Sequence, residues 1–406
     1  MPGTIYLDNH ATTRLDPRVL DAMMPWLTDR YANAGSSTHE TGREARDAVE
    51  AARASFAESV GATAREIVFT SGATESTNLA LLGVAARAQS LDSATARRHL
   101  VLAVTDHVAT LDPVEHLERE GFDVTRLPVV QQHDAAGVPG RIRTDELEAA
   151  MRPDTLLVSV LLANNEIGVV QECAKLAAIA HDGDALFHVD GAQALGRMSV
   201  NVDALGADLA SFSAHKCHGP KGVGALFVRR RDRPVRVEPL VFGGSQERGM
   251  RSGTLNVPGI VGLAEAARLA CDGLGPETAE MRRLRDRLWA RLESAIQGLR
   301  LNGPPLGLDD FDGTPARLVN NLNVHVPGVE GQTLLATLDA DGLAVSSGSA
   351  CSSENPRPSH VLMALGRDVD QARASLRFGL SRFTTEAEID QAADLIAAGV
   401  ARLRDL

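Results

Sequence analysis

Lysine is nearly missing from this chain. Of its 41 basic residues in a length of 406, the lysines are Lys175, Lys216 and Lys221 alone, and the rest are arginine. Any chemistry that needs a primary amine has those three to choose from. Also missing is an apolar run of the roughly 20 residues that cross a bilayer. The opening MPGTIYLDNH has neither the basic nor the apolar region of a secretory signal. These absences predict a cytoplasmic protein with no membrane partner. A basic surface is lacking too: the net charge is −12. Nucleic acids are held by clustered Lys and Arg, so direct nucleic-acid binding is not expected.

Cysteine is sparse. The four thiols stand at Cys173, Cys217, Cys271 and Cys351, never as a C-x-x-C pair. That spacing excludes a clustered metal site and a small disulfide framework. Each cysteine is then judged alone, with a buried, inert thiol as the default.

What is present reads as an ordinary globular composition, 44% hydrophobic and 23% charged. The length favours one large and one smaller domain. From about residue 43 to 270 helix and strand patterns alternate: a helix at 43–60, then apolar runs at 66–70, 99–104, 155–160, 185–189 and 224–228, with helical stretches at 147–151 and 173–181. Such alternation predicts an α/β fold with a mostly parallel sheet and helices on both faces. In such sheets ligands sit beyond the carboxyl ends of the strands. Composition changes near residue 265. A charged amphipathic helix over 277–299 follows, then strands at 318–326 and 373–380, a helix at 331–338, and a last helix opened by Thr385 with Glu388 in a capping box. We expect a large domain over 17–265 and a smaller α+β domain from 1–16 plus 266–406.

Four stretches carry chemistry. In the first, Asp190 ends a predicted strand, and Lys216 follows in a loop after the run DLASF. A carboxylate and a lysine that reach one pocket suit pyridoxal phosphate: the amine bonds the cofactor and the carboxylate keeps the pyridine nitrogen protonated. Taken singly, Asp190 also reads as a helix cap and Lys216 as a surface lysine. Lys175 is explained by a solvated helix face, and Lys221 lies just before a strand, which leaves Lys216 as the best amine. In the second stretch, EIVFTSGATES, a strand runs through a Ser-Gly turn into a helix near Thr74, a natural anion site. In the third, SSGSACSSENPRPS, serine and proline predict an exposed loop, so Cys351 escapes the buried default and reads as an accessible nucleophile. Arg377, in the strand-like ASLRFGLS, is suited to a substrate carboxylate.

Together with YLDNHATT, LANNEIG, FHVDGAQALG, SFSAHKCHGPKGVGAL, QERGMRSGT and LRFGLSRFTTEAEID, these strings resemble, in order and over essentially the whole chain, the cysteine desulfurases, fold-type I pyridoxal-phosphate enzymes of the aminotransferase class V group. By that resemblance Lys216 is the cofactor lysine, Asp190 the partner of the pyridine nitrogen, and Gln193 the residue that bonds the ring hydroxyl. Ala73, Thr74, Ser213 and His215 form the phosphate cradle, and Thr254 adds a phosphate contact from a neighbouring subunit, which implies a homodimer. His107 stacks on the ring and moves protons, Asn165 and Arg377 hold the substrate carboxylate, and Cys351 becomes a persulfide. The resemblance also implies L-cysteine as substrate and an iron–sulfur scaffold or a thiolation protein as sulfur acceptor. A selenocysteine lyase, a class V aminotransferase and a non-catalytic sulfur-transfer scaffold are the rival readings. Asp106 and Val108 beside His107, and Cys217 after Lys216, depart from the family's usual pattern; Cys217 is expected to point away as a packing residue.

Overall fold

The computed structural model describes residues 3–90, 97–135, 137–309, 313–347 and 358–405. Among these, twelve strands run in chain order as β1 Ile5–Tyr6, β2 Ile67–Thr70, β3 His99–Ala103, β4 Asp123–Leu127, β5 Thr155–Leu161, β6 Leu186–Asp190, β7 Leu209–Ser213, β8 Gly224–Val228, β9 Arg300–Leu301, β10 Asn321–His325, β11 Leu343–Ala344 and β12 Ser375–Gly379. The helices are α1 Pro17–Leu27, α2 Glu40–Ser59, α3 Ala73–Gln89, α4 Val108–Arg119, α5 Thr144–Ala150, α6 Cys173–Asp182, α7 Val257–Asp272, α8 Leu274–Ala295, α9 Gly331–Ala340, α10 His360–Ala364, α11 Val369–Arg373 and α12 Glu386–Arg404.

Seven strands form the main sheet in the order β2-β8-β7-β6-β5-β3-β4. The pairs from β7 to β4 are parallel, and β8 runs antiparallel to both its neighbours. Alternate residues face opposite cores, as the strand repeat of two requires. Phe69, Val101, Val158 and Phe212 pack on one face with α2 and α7; Val68, Leu100, Leu157 and Leu209 pack on the other with α3 and α4. Burial on both faces is why these strands read as continuous apolar runs. The strand β4 was not foreseen. It is the sheet's edge, its residues are mostly part-exposed, and DVTRL shows no apolar run.

A second core gathers β10, β12, α8, α9 and α12, and takes in Ile5 and Leu7 from the start of the chain. The N-terminal strand β1 pairs with β11, so the chain then runs from that core directly into the cleft described below. Helix α8 starts three residues before its predicted position, with Pro276 in its first turn, where a missing N–H costs nothing. Helix α12 begins where the capping box of Thr385 and Glu388 put it.

Candidate active site

Beyond the carboxyl ends of β5, β6 and β7 lies a cleft of about 540 Å³. Strand β7 ends at Ser213 and tightens into a 3₁₀ turn, Ala214–Lys216, rather than the loop expected from the sequence. That turn aims Lys216 into the cleft, where Nζ donates to the main-chain oxygens of His10 at 2.5 Å and Ala11 at 2.8 Å. His215 bonds Thr12 Oγ1 through Nδ1 at 3.1 Å. Burial, reinforced by Lys216 and Lys221, holds its pKa down to about 4. Lys221 also lines the cleft, a place the sequence did not suggest, whereas Lys175, on α6, pairs with Glu172, the residue before that helix.

The far wall is the start of α3, which begins at Ala73, one residue before the expected Thr74. Its cap is Gly72, with φ 155° and no side chain to bond the first amides. The amides of the first turn have no partner within the helix, so those of Ala73 and Thr74 stand at the cleft together with the positive end of the helix dipole. The turn is drawn close to β7 and β8: a Cβ at Gly224 would sit 2.6 Å from Gly72 Cα. Ser213, Ala73 and Thr74 therefore line one end of the cleft with His215, and an anion is what that end suits.

Asp190 closes β6 and is buried. Its Oδ1 accepts from Ala192 N at 3.0 Å. Burial pushes its pKa up, while the Ala192 amide, His107 and Lys216 pull the other way. His107 caps α4, with Nδ1 accepting from Ala109 N at 3.1 Å; a neutral ring so held carries its proton on Nε2. Burial lowers its pKa. Asp106, the departure noted beside it, is fully buried, with Leu161 N and Ala103 N donating to its two oxygens. Burial pushes this carboxyl up to about 7.

Gln193 and Asn165 line the cleft as well. Arg377 does not. It lies buried behind Asn165, donating to the Asn165 carbonyl at 3.2 Å and to Asp8 Oδ1 at 2.8 Å, and its Nε has no partner among the described residues. Thr254 is exposed and stands outside this chain's own cleft. Cys351 lies outside the described residues. Cys217 is buried in the first core, its thiol donating to the Ala214 carbonyl at 3.3 Å and pushed up to about 11, first by burial. Cys173 is likewise buried, but Cys271 is exposed, contrary to the default applied to it.

Sequence reasoning missed His10. This histidine is buried, bonds Gln193 and Asn321 through its two ring nitrogens, and lends its carbonyl to Lys216. No local pattern signals it, because its partners lie 183 and 311 residues away.

A family model described as aminotransferase class-V matches residues 5–392. A protein of Anaeromyxobacter dehalogenans named cysteine desulfurase IscS is 47% identical over 402 residues, covering 99% of this chain and 94% of that protein. Among solved structures, one titled NifS-like protein superposes with a TM-score of 0.86 at 36% identity, covering 98% of this chain and 100% of the other. Another, titled SspA in complex with cysteine, gives a TM-score of 0.77 at 32% identity, covering 94% and 100%.

Proposed function

Because the chain belongs to the aminotransferase class-V family, we propose that it is a cysteine desulfurase that uses pyridoxal 5′-phosphate to turn L-cysteine into L-alanine and a protein-bound persulfide. The observation that carries this reading is the placing of Lys216, Asp190, His107 and the uncapped start of α3 around one cleft. Those residues fit the cofactor. The amides of Ala73 and Thr74, with Ser213 and His215, suit its phosphate, Asp190 its pyridine nitrogen, Gln193 its ring oxygen and Lys216 its aldehyde carbon. When bound, the cofactor supplies an electron sink for the bond changes at the substrate's α and β carbons.

The chain's own residues supply the rest. Lys216 would hold the cofactor, and its free Nζ or His107 would serve as the base at the substrate's α carbon. His107 faces the cleft with a proton on Nε2, which suits it as the acid that hands protons to the reacting groups. Asn165 and Arg377 take the substrate carboxylate, Arg377 from behind Asn165, where it donates to the Asn165 carbonyl and to Asp8. The Cys351 thiolate attacks the substrate sulfur, the carbon–sulfur bond breaks with its electrons left on the carbon fragment, and that fragment leaves as alanine. A homodimer lets the exposed Thr254 of one copy reach the phosphate end of the other's cleft. Delivery to a cytoplasmic acceptor, an iron–sulfur scaffold or a thiolation protein, completes the reading.

The test is direct. Purified protein loaded with pyridoxal phosphate and given L-cysteine under reductant should release alanine and sulfide in equal amounts. Lys216→Ala should lose the visible absorbance of lysine-bound cofactor and the turnover together. Absence of alanine from the loaded wild-type protein would overturn the proposal.

A further inference from the structure

A chain of hydrogen bonds between four buried side chains ends at the cleft. It starts at Arg317, whose Nη1 donates to Asn321 Oδ1 at 2.8 Å. A guanidinium has donors and no acceptor, so this bond settles which way the Asn321 amide lies. Its oxygen faces Arg317, and its Nδ2 donates to the Glu166 carbonyl at 3.0 Å and meets His10 Nε2 at 3.1 Å. Nε2 must then accept. The His10 proton therefore sits on Nδ1, which donates to Gln193 Oε1 at 3.1 Å. With its oxygen engaged, Gln193 uses one hydrogen of Nε2 on the His10 carbonyl at 3.0 Å. The second hydrogen is left for the cleft that Gln193 lines.

Bulk solvent has little access to these bonds, since Arg317, Asn321, His10 and Gln193 are 2%, 0%, 1% and 8% exposed. The charged groups that act most strongly on His10 are cations: Arg377 on β12, Arg197 beyond β6, and Lys216 on the turn after β7. Burial first, then these charges, hold the imidazole neutral. A protonated ring would also set an N–H at Nε2 against the donor of Asn321.

We propose that Arg317, Asn321 and His10 are positioning residues that fix Gln193 as a hydrogen-bond donor toward a negatively charged ring oxygen of the bound cofactor, while the His10 carbonyl anchors Lys216. What Gln193 meets rests on the cofactor reading above; the order of protons along the chain does not. A donor on that oxygen spreads its charge and weakens its hold on the proton of the neighbouring lysine nitrogen. The visible absorbance of lysine-bound pyridoxal phosphate reports that proton, so loss of the donor raises the pH at which the absorbance changes.

Two measurements test the proposal. Side-chain ¹⁵N resonances of His10, recorded with and without pyridoxal phosphate, should show the Nδ1–H tautomer and no titration over the pH range in which the protein is folded. An Nε2–H tautomer or a protonated ring overturns the proposal, and this arm needs no variant to fold. In the loaded enzyme, His10→Leu should raise the absorbance midpoint by about one pH unit, the size expected when a charged form loses a hydrogen bond. His10→Asn, whose Nδ2 takes the place of Nδ1 and still donates to Gln193, should stay close to wild type. A wild-type midpoint in folded, loaded His10→Leu overturns it as well. If the wild-type chain binds no pyridoxal phosphate, the cofactor reading is what fails, and the tautomer still decides the positioning chain.

Discussion

Arg53 and Glu247 face each other in a double hydrogen bond, 2.7 Å at each nitrogen, with both side chains almost fully buried. Glu247 also accepts from Phe69 N at 2.8 Å. It does so from a strained turn, because Glu247 and Arg248 both hold left-handed φ angles, 47° and 59°, a conformation that costs a side-chain-bearing residue about 1–2 kcal/mol. The pair thus ties to α2 and β2 the segment that brings Arg251 to Glu75 beside the cleft and sets Thr254 on the surface.

Removing the carboxylate should be far worse than removing an exposed neighbour. Glu247→Ala leaves Arg53 charged and buried, and should lower unfolding free energy by about 3–5 kcal/mol. Glu50→Ala, which takes an exposed partner from the same arginine, should cost less than about 1 kcal/mol. Denaturant titration of both variants checks this, and equal losses would refute the ranking.

The role proposed for Cys351 is separable from cofactor binding. Cys351→Ala should keep the visible absorbance of the loaded enzyme and lose sulfide release under reductant. Undiminished turnover in that variant would remove Cys351 as the nucleophile and leave the cofactor site untouched.

Glu66 makes part of the stability depend on acid pH. Burial raises its carboxyl, but the amides of Arg230 and Thr63, with the Arg231 guanidinium and the Thr63 hydroxyl, outweigh this and bring the pKa from 4.5 down to about 2. A depressed folded pKa stabilises above the unfolded value, and that contribution fades as pH falls through the folded one. Wild type should therefore melt several degrees above Glu66→Gln at pH values above 4.5. The two melting curves should converge near pH 2. A gap that does not narrow on acidification would show that Glu66 acts by packing alone.

Much of this protein is legible along the chain. The inner strands announce themselves because burial on both faces demands unbroken apolar runs, and the edge strand β4 escapes notice because half of it meets solvent. Lys216 emerges by elimination among three lysines, and the Ser-Gly turn before α3 marks a candidate anion site because a helix start offers the same amides in any fold. Capping is equally local, as Thr385 and Glu388 show.

Long-range contacts were decided only by folding. The sequence presents Arg377 as suited to a substrate carboxylate; that it also pairs with Asp8, 369 residues away, and lies behind Asn165 at the cleft could come only from folding. The burial that pushes Asp106 up to about 7 arises where the sheet and α4 close over it. His10 has no local signal at all. Its proton position follows from Arg317 through Asn321, and a hydrogen bond has a direction only when both partners are in place. The residue types and their local turns come from the chain; which groups become donors, acceptors or buried charges at the site is a property of the packed molecule.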